Sequence, residues 1–398
     1  MNRLIFLILL ILVGCSKDDI VEITEPIQTT IDNTITSDYI YTAFLNKEYS
    51  NNSSQNEIPD LFLNSIELMY DNPSDKIVID YNNDGMMDLI HSNSDYNLSF
   101  SGIEIRRNIQ FYMGDSNGNL ILDEINSSKF LGLIHSIRGI TVDLNEDGYL
   151  DIFFAGTGVH GDGTYHDNRF EYPVLLINDR NGSFNEHRLY SVIGYWHGAT
   201  SGDIDGDGDS EILIISPEYE SESYIIDFDN KVELTELPIE ERKRFGRYSH
   251  ELMDLNNDGY DDLVLASDDR GLTDMKSFLW LNSENGFNDI LFLPENEYET
   301  CTDINFFDID SDGDLDIILS KTKQYQKAYI QIIRNNINNL EDVTDLYIDN
   351  NFDFPGGSIE KIFISDNDGD GIVELRTYRN VETVFEWEFV DDKFIRKK

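Results

Sequence analysis

Basic residues are scarce in this chain: 29 lysines and arginines face 77 aspartates and glutamates among 398 residues, for a formal charge of −48. That imbalance excludes a phosphate-backbone partner, because nucleic-acid binding needs a basic footprint. Cysteine is nearly absent, with only Cys15 and Cys301, so no disulfide framework holds the fold. Catalytic signatures are missing too. There is no HExxH pair, and a working pair of carboxylates cannot be singled out against so many acidic residues. The one long apolar run lies in the first fourteen residues, short of the ~20 needed to span a membrane.

What the chain does have is one nine-residue device used six times: DYNNDGMMD from Asp80, DLNEDGYLD from Asp143, DIDGDGDSE from Asp203, DLNNDGYDD from Asp254, DIDSDGDLD from Asp308 and DNDGDGIVE from Asp366. Oxygen ligands at positions 1, 3 and 5 converge on one hard cation only if the chain turns sharply, which the glycine at position 6 permits, and position 9 returns a carboxylate. The expected calcium ligands are Asp80, Asn82, Asp84 and Asp88; Asp143, Asn145, Asp147 and Asp151; Asp203, Asp205, Asp207 and Glu211; Asp254, Asn256, Asp258 and Asp262; Asp308, Asp310, Asp312 and Asp316; and Asp366, Asp368, Asp370 and Glu374. An EF-hand would close with glutamate at position 12 and continue as a helix. Position 12 here is His91, Phe154, Ile214, Leu265, Leu319 or Thr377, which excludes that motif. Without metal, like charges ~4 Å apart repel by about 4 kcal/mol per pair at an effective dielectric near 20, so folding and calcium binding should be coupled.

The segments after each loop, such as LDIFFAG and EILIIS, are short, apolar and β-branched, and shorter runs precede the loops, so each loop reads as a hairpin between two strands. The loops recur about every 50–60 residues, with room for four strands per unit, and radial repetition of such units makes a β-propeller.

The D-x-[DN]-x-DG-x-x-[DE] motif, repeated in register with strands, resembles the FG-GAP or VCBS repeat family, the propeller also found at the head of integrin α subunits. The resemblance runs from about Lys76 to the C-terminus; the FG and GAP signatures themselves are poorly kept, with GYWHGATSGDIDGDGD around Trp196 the nearest approach. It implies an all-β propeller over residues 37–398 with calcium loops between the first and second strands of each blade. Seven blades are favoured over six, since Asp38 to Tyr70 holds three apolar stretches that could form a blade without a loop. The alternative is an N-terminal extension packed on a six-bladed ring.

The N-terminus, MNRLIFLILLILVGC, reads as a signal peptide over residues 1–14. Its LVGC ending resembles the lipobox of bacterial lipoproteins, which makes Cys15 the lipidated residue; a transmembrane helix is the alternative. The following SKDD resembles the surface-export signal of Bacteroidota lipoproteins. Residues 15–36 then read as a flexible acidic tether. The expected location is the outer membrane, lipid-anchored and facing outward, with periplasmic anchoring the alternative. Cys301, with no histidine beside it, reads as a buried inert thiol.

In the integrin-like arrangement the calcium hairpins occupy one face, and the second-to-third strand loops and interblade segments the other. The longest such loop, Gly156 to Tyr172, carries His160 and His166, and the segment Ser191 to Ala199 carries Trp196 and His197. These residues, with Arg244 and Arg247 from a basic interblade segment, are the candidate ligand contacts. His160, His166 and His197 with Asp162 or Asp167 could alternatively hold zinc, or serve as packing residues. Lys276, Lys321, Lys323 and Lys327 fall in the same connections and suggest a more basic face. Trp280 and Trp387 read as core. The expected function is a calcium-binding cell-surface adhesion module, a monomeric ring for a glycan or protein partner. A polysaccharide-active enzyme and a structural part of an outer-membrane assembly are the alternatives.

Overall fold

The computed structural model describes residues 76–92, 106–116, 119–159, 170–216, 223–228, 231–237, 249–266, 276–298, 300–323, 327–336, 339–349, 359, 361–366, 370–379 and 382–397. They form six four-stranded antiparallel sheets in chain order. The first holds β1 (Lys76–Ile79), β2 (Asp88–His91), β3 (Gln110–Gly114) and β4 (Leu120–Leu122), and the second β5 (Ser136–Val142), β6 (Asp151–Gly156), β7 (Val174–Asn178) and β8 (Phe184–Arg188). The third holds β9 (Gly198–Gly202), β10 (Glu211–Ile215), β11 (Tyr224–Phe228) and β12 (Val232–Glu236), and the fourth β13 (Ser249–Met253), β14 (Asp262–Ala266), β15 (Phe278–Leu281) and β16 (Asp289–Phe292). The fifth holds β17 (Thr300–Phe307), β18 (Asp316–Lys323), β19 (Lys327–Asn335) and β20 (Leu340–Asp342), and the sixth β21 (Lys361–Ser365), β22 (Glu374–Arg379), β23 (Glu382–Val390) and β24 (Lys393–Arg396).

Within each sheet every strand pairs only with its sequence neighbours. The first strands of successive sheets lie side by side, from β1 beside β5 through to β17 beside β21. This is a β-propeller. Successive blades pack face to face from the first to the sixth, and their second strands are buried throughout: DLIH in β2, DIFFAG in β6, EILII in β10 and DLVLA in β14. Burial on both faces is why those segments read as continuous apolar runs rather than alternating ones. The outermost strands β12 and β16 lie largely open to solvent. The core is divided into slabs between blades, such as Phe153, Trp196 and Ile214 between the second and third, and Ile318, Ile332 and Trp387 between the fifth and sixth.

Blade number corrects the sequence expectation: the described residues build six four-stranded blades, not seven. Side chains of the inner strands show how tightly the ring is drawn. Arg138 of the second blade pairs with Glu251 of the fourth and places Nη1 3.7 Å from Asp303 Oδ1 of the fifth. Lys361 of the sixth lies 3.4 Å from the same oxygen. Opposed blades therefore meet at the axis through buried charged side chains. The Asp38 to Tyr70 stretch assigned to the extra blade lies outside the described residues.

Candidate metal centre

Each nine-residue motif fills the hairpin between the first and second strands of its blade: 80–88 joins β1 to β2, 143–151 joins β5 to β6, and so on to 366–374 between β21 and β22. The third-to-fourth strand turns lie on the same face, which is how Arg180, between β7 and β8, reaches Asp147 Oδ2 with its Nε at 2.7 Å.

The hairpins fold around their own carboxylates. Asp80 accepts the backbone N–H groups of Asp84 and Gly85 at 3.0 and 2.8 Å, and Asp143, Asp254, Asp308 and Asp366 repeat the pattern. Position 5 accepts the N–H of position 7, as Asp84 does from Met86 at 2.8 Å. Asn82, Asn145 and Asn256 at position 3 accept the position-5 N–H. The glycine at position 6 is left-handed, with φ of 86° at Gly85 and 99° at Gly313. Position 4 is left-handed as well, at Asn83, Glu146, Asn257 and Ser311 with φ of 52–60° and at Gly206 with 78°. The sequence reading missed this, although Asn, Ser and Gly at that position were the signal.

Position 9 is built differently. Asp88, Asp151, Glu211, Asp262, Asp316 and Glu374 begin the second strands and are buried. Asp262 accepts the N–H of Leu255 at 3.1 Å with one oxygen and that of Asn282 at 2.7 Å with the other. Asp88, Asp151 and Asp316 are held in the same two-sided way. Burial, followed in smaller measure by the neighbouring carboxylates, pushes Asp88, Asp151, Asp262 and Asp316 up to about 7 and Glu211 up to about 8.

The donors are all oxygen, which suits a hard cation. Asp205, Asp207, Asp209 and Glu211 each bring an oxygen within 4.8 Å of the others, as do Asp308, Asp310 and Asp316. Asp209, at position 7, was not among the expected ligands. Its hydrogen bond with Asp207 is the main reason its carboxyl rises to about 7. In the last hairpin Asp366, Asp370 and Glu374 are described, and Asp368 is not.

An asparagine, the last residue of the third strand in two blades and the residue just after it in another, joins hairpins across blade boundaries. Asn178 donates its backbone N–H to Asp151 at 2.8 Å and its side-chain amide to the Tyr81 carbonyl of the preceding hairpin at 3.1 Å. Asn282 reaches the Ile204 carbonyl and Asn335 the Leu255 carbonyl, both at 2.7 Å.

The FG-GAP-like repeat family matches residues 143–214 and 254–319, which hold the second to fifth hairpins. The chain carries FG-GAP-like repeats. Integrin alpha-PS3 of Drosophila melanogaster is 30% identical over 121 residues, covering 28% of this chain and 10% of that protein. With six four-stranded blades, these findings support an integrin-like FG-GAP β-propeller.

The residues expected on the other face of this FG-GAP-like ring fare unevenly. Trp196 is fully buried in the slab between the second and third blades, which corrects its assignment as a ligand contact: its indole is packing. His197 is half-buried with its ring 4.9 Å from that of Tyr195. His160, His166, Arg244, Arg247 and Cys15 lie outside the described residues. Of the lysines expected there, Lys327 is exposed at the start of β19. Lys276 pairs with Glu295 and Lys323 with Glu297, while Lys321 is buried. Cys301 is buried, its thiol pushed up to about 12 by burial. Trp387 is core, and Trp280 is partly buried against the slab between the third and fourth blades.

Proposed function

We propose that this protein is a calcium-stabilised binding or adhesion module, anchored outside the cell by a lipid on Cys15, that takes a glycan or protein partner on the face opposite the metal hairpins. The observation that carries this reading is the set of FG-GAP-like repeats on a six-bladed ring, shared in part with an integrin α chain. Bound calcium would supply the positive charge that lets the buried closing carboxylates ionise. The hairpins supply oxygen donors, and the blades hold them in place.

Surface chemistry on the opposite face supports recognition there. Tyr190 is 69% exposed and meets Tyr172 edge-to-face at 5.3 Å, and Ile193 beside it is 46% exposed. Aromatic rings with one face free suit sugar rings and peptide side chains. His160, His166, His197, Arg244 and Arg247 belong to connections on that face and are the candidate polar contacts.

The test is binding of the full chain to a glycan array and to surface proteins, with and without chelator. Tyr190→Ala should weaken binding at least about tenfold, the loss of roughly 1.4 kcal/mol, and the outer-edge control Ile121→Ala should not. Appearance of cleaved glycan would instead indicate an enzyme, and absence of any ligand would sink the recognition reading. Cys15→Ser should abolish lipid labelling, and protease treatment of intact cells should cut the wild-type chain if it faces outward.

A further inference from the structure

The asparagine links form continuous hydrogen-bonded runs between metal hairpins, and the runs are broken at defined places. Glu211 closes the third hairpin and accepts the N–H of Ile204; the Ile204 carbonyl accepts from Asn282; and the Asn282 N–H donates to Asp262, which closes the fourth. Asp262 also accepts the N–H of Leu255, whose carbonyl accepts from Asn335, and the Asn335 N–H donates to Asp316 in the fifth. The same sequence of bonds joins Asp88 of the first hairpin to Asp151 of the second through Tyr81 and Asn178.

Direct contacts reinforce the larger group. Asp203 N donates to Asp261 Oδ2 at 2.9 Å while Asp261 N donates to the Asp203 carbonyl at 2.8 Å, joining the third and fourth hairpins. Asn257 Nδ2 lies 2.9 Å from Asp314 Oδ1, joining the fourth and fifth. Where the runs stop, the residue at the asparagine's place differs: Gly114 ends β3 of the first blade, Phe228 ends β11 of the third, and Phe389 takes the equivalent place in β23 of the sixth. None of the three has a side-chain amide to reach the preceding hairpin.

We infer that five of the six hairpins bind metal as two linked groups, the first with the second and the third with the fourth and fifth, and that Asn178, Asn282 and Asn335 are the positioning residues that link them. The inference rests on the calcium reading above. A cation drawn in by one hairpin orders its closing carboxylate, and the bonds that carboxylate accepts reach the backbone of the next hairpin in the group.

Hydrogen exchange with mass spectrometry across a calcium titration reads each hairpin separately. In the wild-type chain, residues 203–211, 254–262 and 308–316 should gain protection at one shared calcium midpoint, and 143–151 at its own. Asp308→Ala, which cripples the fifth hairpin, should raise the midpoint of the fourth about fivefold or more and leave the second unchanged. In the Asn335→Ala background, adding Asp308→Ala should move the fourth hairpin by less than about twofold, a readout that a purely structural asparagine would not alter. If the second hairpin shifts as far as the fourth, or the fourth does not shift, the linkage is wrong. If Asn335→Ala does not fold, the wild-type midpoints and Asp308→Ala decide by themselves. Protection of no hairpin by calcium would remove both this inference and the calcium reading; independent midpoints with saturable calcium binding would remove only the linkage.

Discussion

Asp254 and Asp262 open and close the same hairpin, yet their surroundings assign them different work. Asp254 lies in the exposed turn, where water can replace it for the N–H groups of Asp258 and Gly259. Asp262 is fully buried, and its loss leaves the N–H groups of Leu255 and Asn282 without that acceptor. Each such group costs about 1–3 kcal/mol. Asp262→Ala should therefore lower the unfolding midpoint both in calcium and in chelator, whereas Asp254→Ala should act in calcium and be nearly silent in chelator. Urea unfolding under the two conditions checks this, and equal losses for both variants would contradict the division. The motif marked both residues as ligands, but nothing in its spacing reveals that one is also the hydrogen-bonding pivot of the blade. That depends on Asn282, twenty residues further along.

At the scale of the hairpin, pH and metal should work against each other. The closing carboxylates of five hairpins titrate at about 7 or 8 in the fold, above their ordinary values of 3.8 for Asp and 4.5 for Glu. Between those values the folded chain holds more protons than the unfolded one, so in chelator stability is highest below the unfolded pKa and falls as pH rises through the folded one. His250 acts in the opposite sense: burial, with Arg138 nearby, lowers it to about 3 from 6.5, so its contribution is complete above 6.5 and lost as pH falls toward 3. From pH 6.5 to 8 only the carboxylate effect remains of the two. Thermal unfolding in chelator should show Tm falling over that interval, and added calcium should raise Tm more at pH 8 than at 6.5. A Tm in chelator that rises over the same interval would refute the assignment.

Across the whole molecule, the axis is the critical joint. Arg138 lies against Glu251 and near Asp303, and Lys361 shares Asp303, so four inner strands meet in one buried group of charges. Removing one partner from such a group costs about 3–5 kcal/mol, because the remaining charges stay buried. Arg138→Met should therefore destabilise the ring by that order in chemical unfolding, and Arg138→Met with Glu251→Gln should recover part of the loss. A single variant within about 0.5 kcal/mol of wild type would show that the axis is not a joint.

Much of this architecture was legible in the chain because its causes are local. Aspartates and a glycine in a fixed spacing make a turn by bonding to their own backbone, and the apolar runs around them have no other use than strands, so DLNEDGYLD and LDIFFAG specify a hairpin wherever they occur. Six motifs therefore implied repeated four-stranded blades. The number of blades is not a local property. It is set by how the blades pack around the axis, where Arg138 meets Asp303, two residues 165 positions apart in sequence with nothing in their neighbours to pair them. The same distinction explains Trp196, which looked like a surface aromatic in a glycine-rich segment but fills the slab against Phe153 and Ile214. It also explains the asparagine links, each joining a third strand to a hairpin of the blade before it. Short-range hydrogen bonding and apolar patterning determined the unit, while contacts between blades, which only the assembled ring brings together, decided how many units close and which hairpins are tied to one another.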